Sequence, residues 1–365
     1  MSREIIAAVC REPGSQYSLE RLHLGQLNHD EVYIKILASG ICHTDFIAEH
    51  LVLLPAVFGH EGCGIIQEVG QSVTNFKVGE RVVISYPHCG SCSGCSAGKL
   101  HLCDEHMSLA FKGTRLDGSN TTAIESAEVR TSFFQQSSFA THCIVNSRYI
   151  VKITSDEPNE IIASIPCGVQ TGAGSVINTF NAGPLDSIVV FGVGAVGLSA
   201  VIAANIRGVG TIIAIDIDVG RLNLALDLGA HYSFNANDPD LLKKINSCSR
   251  GGVTYSLETS GNDRALESAI ACLQTGGKCG MVISPNFGQK YPFSPTDVFK
   301  GAKSLFGIIQ GSAIPRIFLP KILSWYEQGK FPLDRLIKTY PFTEINRAAK
   351  ATKDGETIKA ILTMN

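Results

Sequence analysis

The chain has 365 residues, with 31 Lys and Arg against 33 Asp and Glu, so a formal charge of −2 gives no electrostatic case for nucleic acid or an anionic membrane as main partner. At 44% hydrophobic and 18% charged residues it is not disordered as a whole, and no apolar run approaches the roughly 18–20 residues of a membrane span. The length implies two or three domains; the start, MSREIIAAVCREP, has no signal-peptide core, so the expected location is cytoplasmic and the 12 cysteines are expected as metal-bound, catalytic or buried thiols.

In chain order, residues 1–168 carry short strands expected at 5–10, 32–38, 63–69, 80–84, 139–145 and 149–153, punctuated by glycine and with few helices, which reads as a β-barrel-like domain. Cys42 lies in GICHTD, His60 in GHEGCG and Cys167 in IPCGVQTG. A lone Cys or His among apolar residues is usually core. Here Gly59, Gly62 and Gly64 flank His60 and Glu61 and permit close approach of backbone and ligand. Two thiolates and one imidazole make a zinc set with an open fourth position, although spacing alone does not assemble these three.

Cys89, Cys92, Cys95 and Cys103 read C-x2-C-x2-C-x7-C, with the turn formers Gly90-Ser91 and Ser93-Gly94 between them. Four thiolates suit a closed, structural zinc site. An iron–sulfur cluster is the rival, but the ferredoxin run continues x3-C-P, whereas here Asp104 follows a longer gap.

From residue 187 the pattern changes. Ser187–Phe191 is a buried-strand run, Gly192-Val-Gly194-Ala-Val-Gly197 follows at once, Leu198–Arg207 reads as helix, and the strand from Thr211 ends at Asp216. A GxGxxG between strand and helix, with an acid closing the next strand, is a dinucleotide fingerprint. Asp216 suits ribose hydroxyls and repels a 2′-phosphate, so NAD is expected over NADP. Residues 228–234 read as turn then strand, 253–258 as strand, Ala265–Leu273 as helix, and Lys278–Ile283 as a strand after Gly276-Gly277, which together imply a doubly wound parallel sheet. The end of the chain holds a helix around Leu319–Glu327 and a strand at Thr357–Thr363.

On these residues the sequence resembles the zinc-dependent medium-chain alcohol dehydrogenases over its whole length, through Gly59-His60-Glu61-x-x-Gly64-x5-Gly70-x2-Val73, the four-cysteine spacing, GICHTD, CGVQTG, the nucleotide fingerprint and Ile358–Leu362. Within that family it is most similar to the bacterial benzyl or aryl alcohol dehydrogenases. The resemblance implies an α/β chain with a chaperonin-10-like (GroES-like), β-rich catalytic zinc domain at 1–168, an NAD-binding Rossmann domain at 169–308, and a segment 309–365 returning to the catalytic domain, with the ligand in the cleft between domains. It implies two zinc ions: a catalytic one on Cys42, His60 and Cys167, and a structural one on Cys89, Cys92, Cys95 and Cys103. It makes Thr44 the first proton-relay hydroxyl, with Asp45 orienting His60 and Glu61 a further nearby carboxylate. Gly192, Gly194, Val196, Gly197, Asp216, Arg221 and Thr171 then contact the cofactor, and His43 and Lys359 its pyrophosphate. The family forms homodimers or homotetramers, and the apolar stretch 301–312 is a candidate sheet edge for pairing between subunits.

Two departures bear on chemistry. Many members place a histidine three residues after the relay hydroxyl; here that position is Ile47, which leaves His50 or water as terminal acceptor. Glutathione-dependent formaldehyde dehydrogenases need a basic residue soon after the fourth structural cysteine, where this chain has Asp104-Glu105-His106-Met107. Phe46, Ile47 and the run Leu51-Val52-Leu53-Leu54 suggest an apolar wall suited to an aromatic or medium-length primary alcohol, benzyl type first and aliphatic, allylic or terpenoid alcohols as alternatives. A zinc-free quinone or enoyl reductase, or a non-enzymatic nucleotide binder, does not need the seven metal-type ligands. Cys10, Cys63, Cys143, Cys248, Cys272 and Cys279 are expected as core thiols. With Asp216 in place, kcat/KM should be far higher with NAD than with NADP; initial rates with both cofactors check this, and equal values refute it.

Overall fold

The computed structural model describes residues 3–282 and 293–364. The chain forms two compact units, one of Met1–Cys167 with Ile314–Asn365, the other of Gly168–Ala313.

In the first unit the strands are β1 (Arg3–Cys10), β2 (Ser18–Leu24), β3 (Glu31–Gly40), β4 (Ala56–Val57), β5 (Gly62–Val69), β6 (Arg81–Ile84), β7 (His142–Asn146) and β8 (Ile150–Lys152). The second unit holds β9 (Ser187–Phe191), β10 (Thr211–Asp216), β11 (Tyr232–Asn235), β12 (Val253–Glu258), β13 (Leu273–Met281) and β14 (Ser304–Gly307), and the returning segment adds β15 (Ile337–Pro341) and β16 (Lys359–Thr363) to the first. A long sheet runs β15-β16-β3-β5-β6-β8, with β7 also on β3, and a smaller one β2-β1-β4. The frame is β3, where Val32, Ile34, Ile36 and Ala38 are fully buried on an alternating pattern while Lys35 points out. Val32, Ile34 and Ile36 pack with Ile66, Val82, Ile84 and Val145, and a second core gathers Phe58, Tyr86, Phe133 and Phe139. Close strand contact needs Gly64, because a Cβ there would lie 2.1 Å from the Lys35 carbonyl oxygen.

The second unit is one all-parallel sheet in the order β11-β10-β9-β12-β13-β14. Its central strands are covered on both faces, which is why Ile188-Val189-Val190-Phe191 and Ile212-Ile213-Ala214-Ile215 read as unbroken apolar runs.

Several expectations are corrected. Helix Ala195–Ile206 begins earlier than Leu198, at an N-cap formed by Gly194. Strand β13 starts before Gly276-Gly277 and contains them, with a register irregularity against β12 between Val253 and Tyr255; its expected end, Ile283, lies outside the described residues. The chain re-enters the first unit at Ile314 rather than 309, because the turn Gln310–Ser312 packs into the second: Gln170 Nε2 donates to Gln310 Oε1 at 3.0 Å, and a Cβ on Gly311 would stand 2.6 Å from the Gln170 carbonyl oxygen. Strands β2, β4 and β15 carry no strong sequence signal. Among the described residues no helix is long and apolar enough to cross a membrane.

Gly64→Ala should destabilise the first unit by about 1–3 kcal/mol, since the obstacle is backbone rather than a movable side chain. Thermal unfolding against the parent chain measures this; an unshifted transition contradicts the close-approach argument.

Candidate active site

The turn after β3 leads into helix α1 (His43–Ala48), whose N-cap is Cys42. Asp45, in its first turn, reaches back to accept the Cys42 N–H at Oδ2 (2.9 Å), as an acidic third residue does in a capping box. Its other oxygen accepts the Gly59 N–H at 3.1 Å and lies 2.8 Å from His60 Nδ1. That carboxylate partner places the imidazole proton on Nδ1 and leaves the Nε2 lone pair facing the opposite way. There, Nε2 is 3.3 Å from Cys167 Sγ, and one donor atom each of Cys42, His60, Glu61 and Cys167 lies within 4.8 Å of the others.

The cluster is buried: His60 is 2% exposed, and Asp45 and Glu61 are fully enclosed. A hydrogen bond from Cys167, opposed by burial and helped by His60, holds the Cys42 thiol well below its usual range, while that same bond and burial push Cys167 up. Burial pulls His60 down, but the charge and hydrogen bond of Asp45 outweigh it and the net direction is up. The Phe134 ring lies over His60, centroids 4.6 Å apart at 30°, and Phe133 meets it edge-on at 5.6 Å. Phe134 holds a left-handed φ of 48°, uncommon for a bulky residue, in a loop fixed by Gln136, which donates to the His60 carbonyl (2.9 Å) and accepts the Gly62 N–H (3.1 Å). Nothing in the sequence marked Gln136, Phe133 or Phe134.

Glu61 pairs with the ammonium of Lys359, which is 2% exposed and also donates to the Ile41 carbonyl at 3.2 Å. Burial pulls the ammonium down, yet Glu61 and the two thiols raise it overall, while burial, opposed by Lys359, pushes the Glu61 carboxyl up. Lys359, expected at the cofactor pyrophosphate, is turned inward onto the metal-type cluster. Gly40 makes the room, since a Cβ there would lie 1.9 Å from Glu61 Oε2. His43 and His50 are exposed, Ile47 is half-buried, and Thr44 Oγ1 is 3.6 Å from Cys42 Sγ.

In the lobe, one sulfur each from Cys89, Cys92, Cys95 and Cys103 again falls within 4.8 Å of the others. Backbone N–H groups of Ser91 (3.4 Å) and Cys92 (3.3 Å) donate to Cys89 Sγ, and that of Cys89 donates to Cys103 Sγ at 3.1 Å. The Ser91 N–H is the main cause that lowers Cys89 to about 6, against a smaller burial effect, whereas burial lifts Cys95 to about 12. Gly90 supplies φ +81°, and Gly94 lets Leu102 approach, its added Cβ standing 2.4 Å from that carbonyl oxygen. Both donor sets are tetrahedral zinc chemistry, soft thiolate with imidazole in one and four thiolates in the other. All 12 cysteines are unpaired; of the six outside the clusters five are buried and Cys248 is half-buried.

In the second unit, Gly192 turns at φ +82° and a Cβ on Gly197 would meet the Gly192 carbonyl at 1.9 Å, so helix and strand pack through glycine. Asp216 accepts N–H groups of Val193 (2.7 Å), Ile217 (2.8 Å) and Asp218 (3.0 Å), which fixes it at the strand end. The Arg221 guanidinium reaches 4.0 Å from a Cβ built on Gly194. Val196 is half-buried and its carbonyl lies against Gly172, next to the buried Thr171.

Asp45→Ala should weaken zinc at the Cys42–His60–Cys167 cluster about 10–100-fold while lobe zinc stays; metal content after graded chelation reads this. Lys359→Met, which strands the Glu61 charge, should cost about 3–5 kcal/mol, most of it restored in Lys359→Met/Glu61→Gln. Denaturant unfolding of the single and double variants checks it, and a silent single variant counts against the ion pair.

The family model for the alcohol dehydrogenase GroES-like domain matches residues 28–155, and that for the zinc-binding dehydrogenase matches residues 195–327. The chain is 39% identical over 360 residues to geraniol dehydrogenase of Castellaniella defragrans, covering 98% of this chain and 96% of that one. Alcohol dehydrogenase 1 of Pisum sativum is 31% identical with the same coverage. Among solved structures, benzyl alcohol dehydrogenase from Acinetobacter calcoaceticus superposes with a TM-score of 0.95 at 40% identity, each chain fully covered. An alcohol dehydrogenase zinc-binding domain protein from Burkholderia ambifaria gives 0.96 at 38%, also with full coverage of both chains. With both donor sets intact on a GroES-like unit and a parallel nucleotide-binding-type sheet, the chain belongs to the zinc-dependent medium-chain alcohol dehydrogenases.

Proposed function

We propose that this alcohol dehydrogenase oxidises a primary, aromatic alcohol of the benzyl type to its aldehyde, with NAD as hydride acceptor. The observation that carries the activity is the buried Cys42–His60–Cys167 donor set; the rings of Phe133 and Phe134 pack on His60 and belong to the core behind it. The likeness to a benzyl alcohol dehydrogenase at 40% identity supports the benzyl type. The 39% identity to a geraniol dehydrogenase favours a second reading, an allylic terpenoid alcohol. The run Leu51–Leu54 contributes less than expected: Val52 is core, whereas Leu51 and Leu53 are exposed.

Bound to Cys42, His60 and Cys167, zinc supplies a Lewis acid that acidifies a hydroxyl, and NAD supplies the hydride acceptor. The chain supplies position and proton handling. Asp45 fixes the His60 ring, and the Glu61–Lys359 pair balances charge behind the thiolates. We assign Thr44 Oγ1, beside Cys42, to take up the substrate hydroxyl proton. Ile47 has no titratable atom, and we propose solvent rather than the exposed His50 as the terminal acceptor. Glycines 192, 194 and 197 leave room for a pyrophosphate, and the Asp216 charge favours a free ribose 2′-hydroxyl. We further propose a homodimer or homotetramer, with the edge strand β14 and the exposed Ile309 as a pairing edge.

NADH formation at 340 nm across benzyl, cinnamyl, geranyl and aliphatic alcohols tests the reading. Benzyl alcohol should give the highest kcat/KM and lose its rate on zinc chelation; a higher value for geraniol selects the second reading. Ile47→His should flatten the pH–rate profile between about pH 6 and 8 by supplying a base near Thr44. An unchanged profile contradicts solvent as terminal acceptor.

A further inference from the structure

The first unit holds a cavity of about 490 Å³ beside the four-cysteine lobe. Leu100 of the lobe, His88, Arg148 and Tyr149 wall one side, and Ile314 and Arg316, at the start of helix Pro315–Glu327, wall the other. None of the residues of the Cys42–His60–Cys167 cluster or of the nucleotide turn lines it. The volume falls within the range of small-molecule sites, roughly 300–1,000 Å³.

Its chemistry is asymmetric. Two arginines face the space, and no carboxylate is among the described lining residues. Arg148 is anchored: Nε donates to Asn146 Oδ1 at 3.1 Å, Nη1 to the Cys89 carbonyl, and Nη2 lies 3.8 Å from Asp30 Oδ2, with 40% of the side chain still exposed. Arg316 is exposed and donates to the Arg148 carbonyl at 3.3 Å, and among the described residues it makes no ion pair with a carboxylate. The remaining wall is apolar and ring-lined: His88 and Tyr149 meet at 5.5 Å and 72°, and Leu100 and Ile314 close the sides. A guanidinium selects a planar two-oxygen anion, and the apolar side chains of Leu100, Val151 and Ile314 beside the rings suit an apolar body.

We infer that this cavity is a binding site for a small monocarboxylate with a flat apolar body, an aromatic acid being the best-shaped class, separate from the site of alcohol oxidation. The inference rests on the cavity and its arginines and does not depend on which alcohol the enzyme takes. Because its walls come from residues 86–151 and 314–316, an occupant joins the lobe's frame to the returning segment and stabilises the folded chain in proportion to its saturation.

The probe is benzoate, titrated calorimetrically into the zinc-loaded protein, with benzamide and inorganic phosphate alongside. Benzoate should bind, and the two controls should bind at least about tenfold more weakly, one for lack of charge and the other for lack of an apolar body. Arg316→Glu, which reverses a charge, and Ile314→Trp, which fills the space, should each weaken benzoate at least about tenfold while alcohol oxidation keeps its parent rate. Benzoate heat unchanged in both variants assigns the carboxylate to another place, the metal cluster included, and overturns the proposal. Phosphate binding as well as benzoate, or no benzoate heat at all, overturns it too.

Discussion

The Asp45 carboxylate holds three parts of the site at once: the N–H that opens α1, the N–H of Gly59 before the histidine, and the imidazole itself. A buried carboxylate with no such donors would be driven to protonate. Here burial strengthens each bond, because the low local dielectric leaves no water to compete. Cys42 and His60 come from different turns, and their sulfur and nitrogen reach one point because a single side chain ties both turns together.

A second constraint is charge. Two thiols and two carboxylates sit within a few side chains of each other in the interior, and the Lys359 ammonium reaches them from β16. An ion pair of this kind contributes little net stability compared with an apolar replacement, but breaking it is costly. Its value lies in specifying the arrangement: Gly40 must lack a side chain for Glu61 to fit, and β16 must lie beside β3 for Lys359 to arrive. The backbone spacing of the sheet is thereby coupled to the electrostatics of the cluster.

How much of this was legible depends on the range of the interaction. The parallel strands around Val189 and Ile213 were readable because burial on both faces writes unbroken apolar runs. The lobe was readable because its four ligands are close in sequence and separated by turn formers. Cys42, His60 and Cys167 were recognisable only through a family resemblance, since spacing carries no message over such separations. The inward turn of Lys359 was hidden for the same reason: a lysine in a terminal strand reads as a solvated charge, and its partner lies near the other end of the chain. Gln136 and the left-handed Phe134 were invisible, because an ordinary Gln and Phe acquire their roles from the loop geometry. The strand expected to follow Gly276-Gly277 begins before them at Leu273, and the ladder with β12 steps over the glycines, from Val253–Leu273 to Tyr255–Lys278, which a reading of local turn formers does not foresee.

The return of the last segment has a consequence for how the chain emerges from the ribosome. The second unit is contiguous, Gly168–Ala313, and can complete its sheet while later residues are still being made. The first unit, though begun earlier, lacks β15 and β16 until residues 337–363 have been made. Throughout that interval β3 keeps an open edge and Glu61 waits for its countercharge, so the metal-binding unit is begun before the other and completed after it.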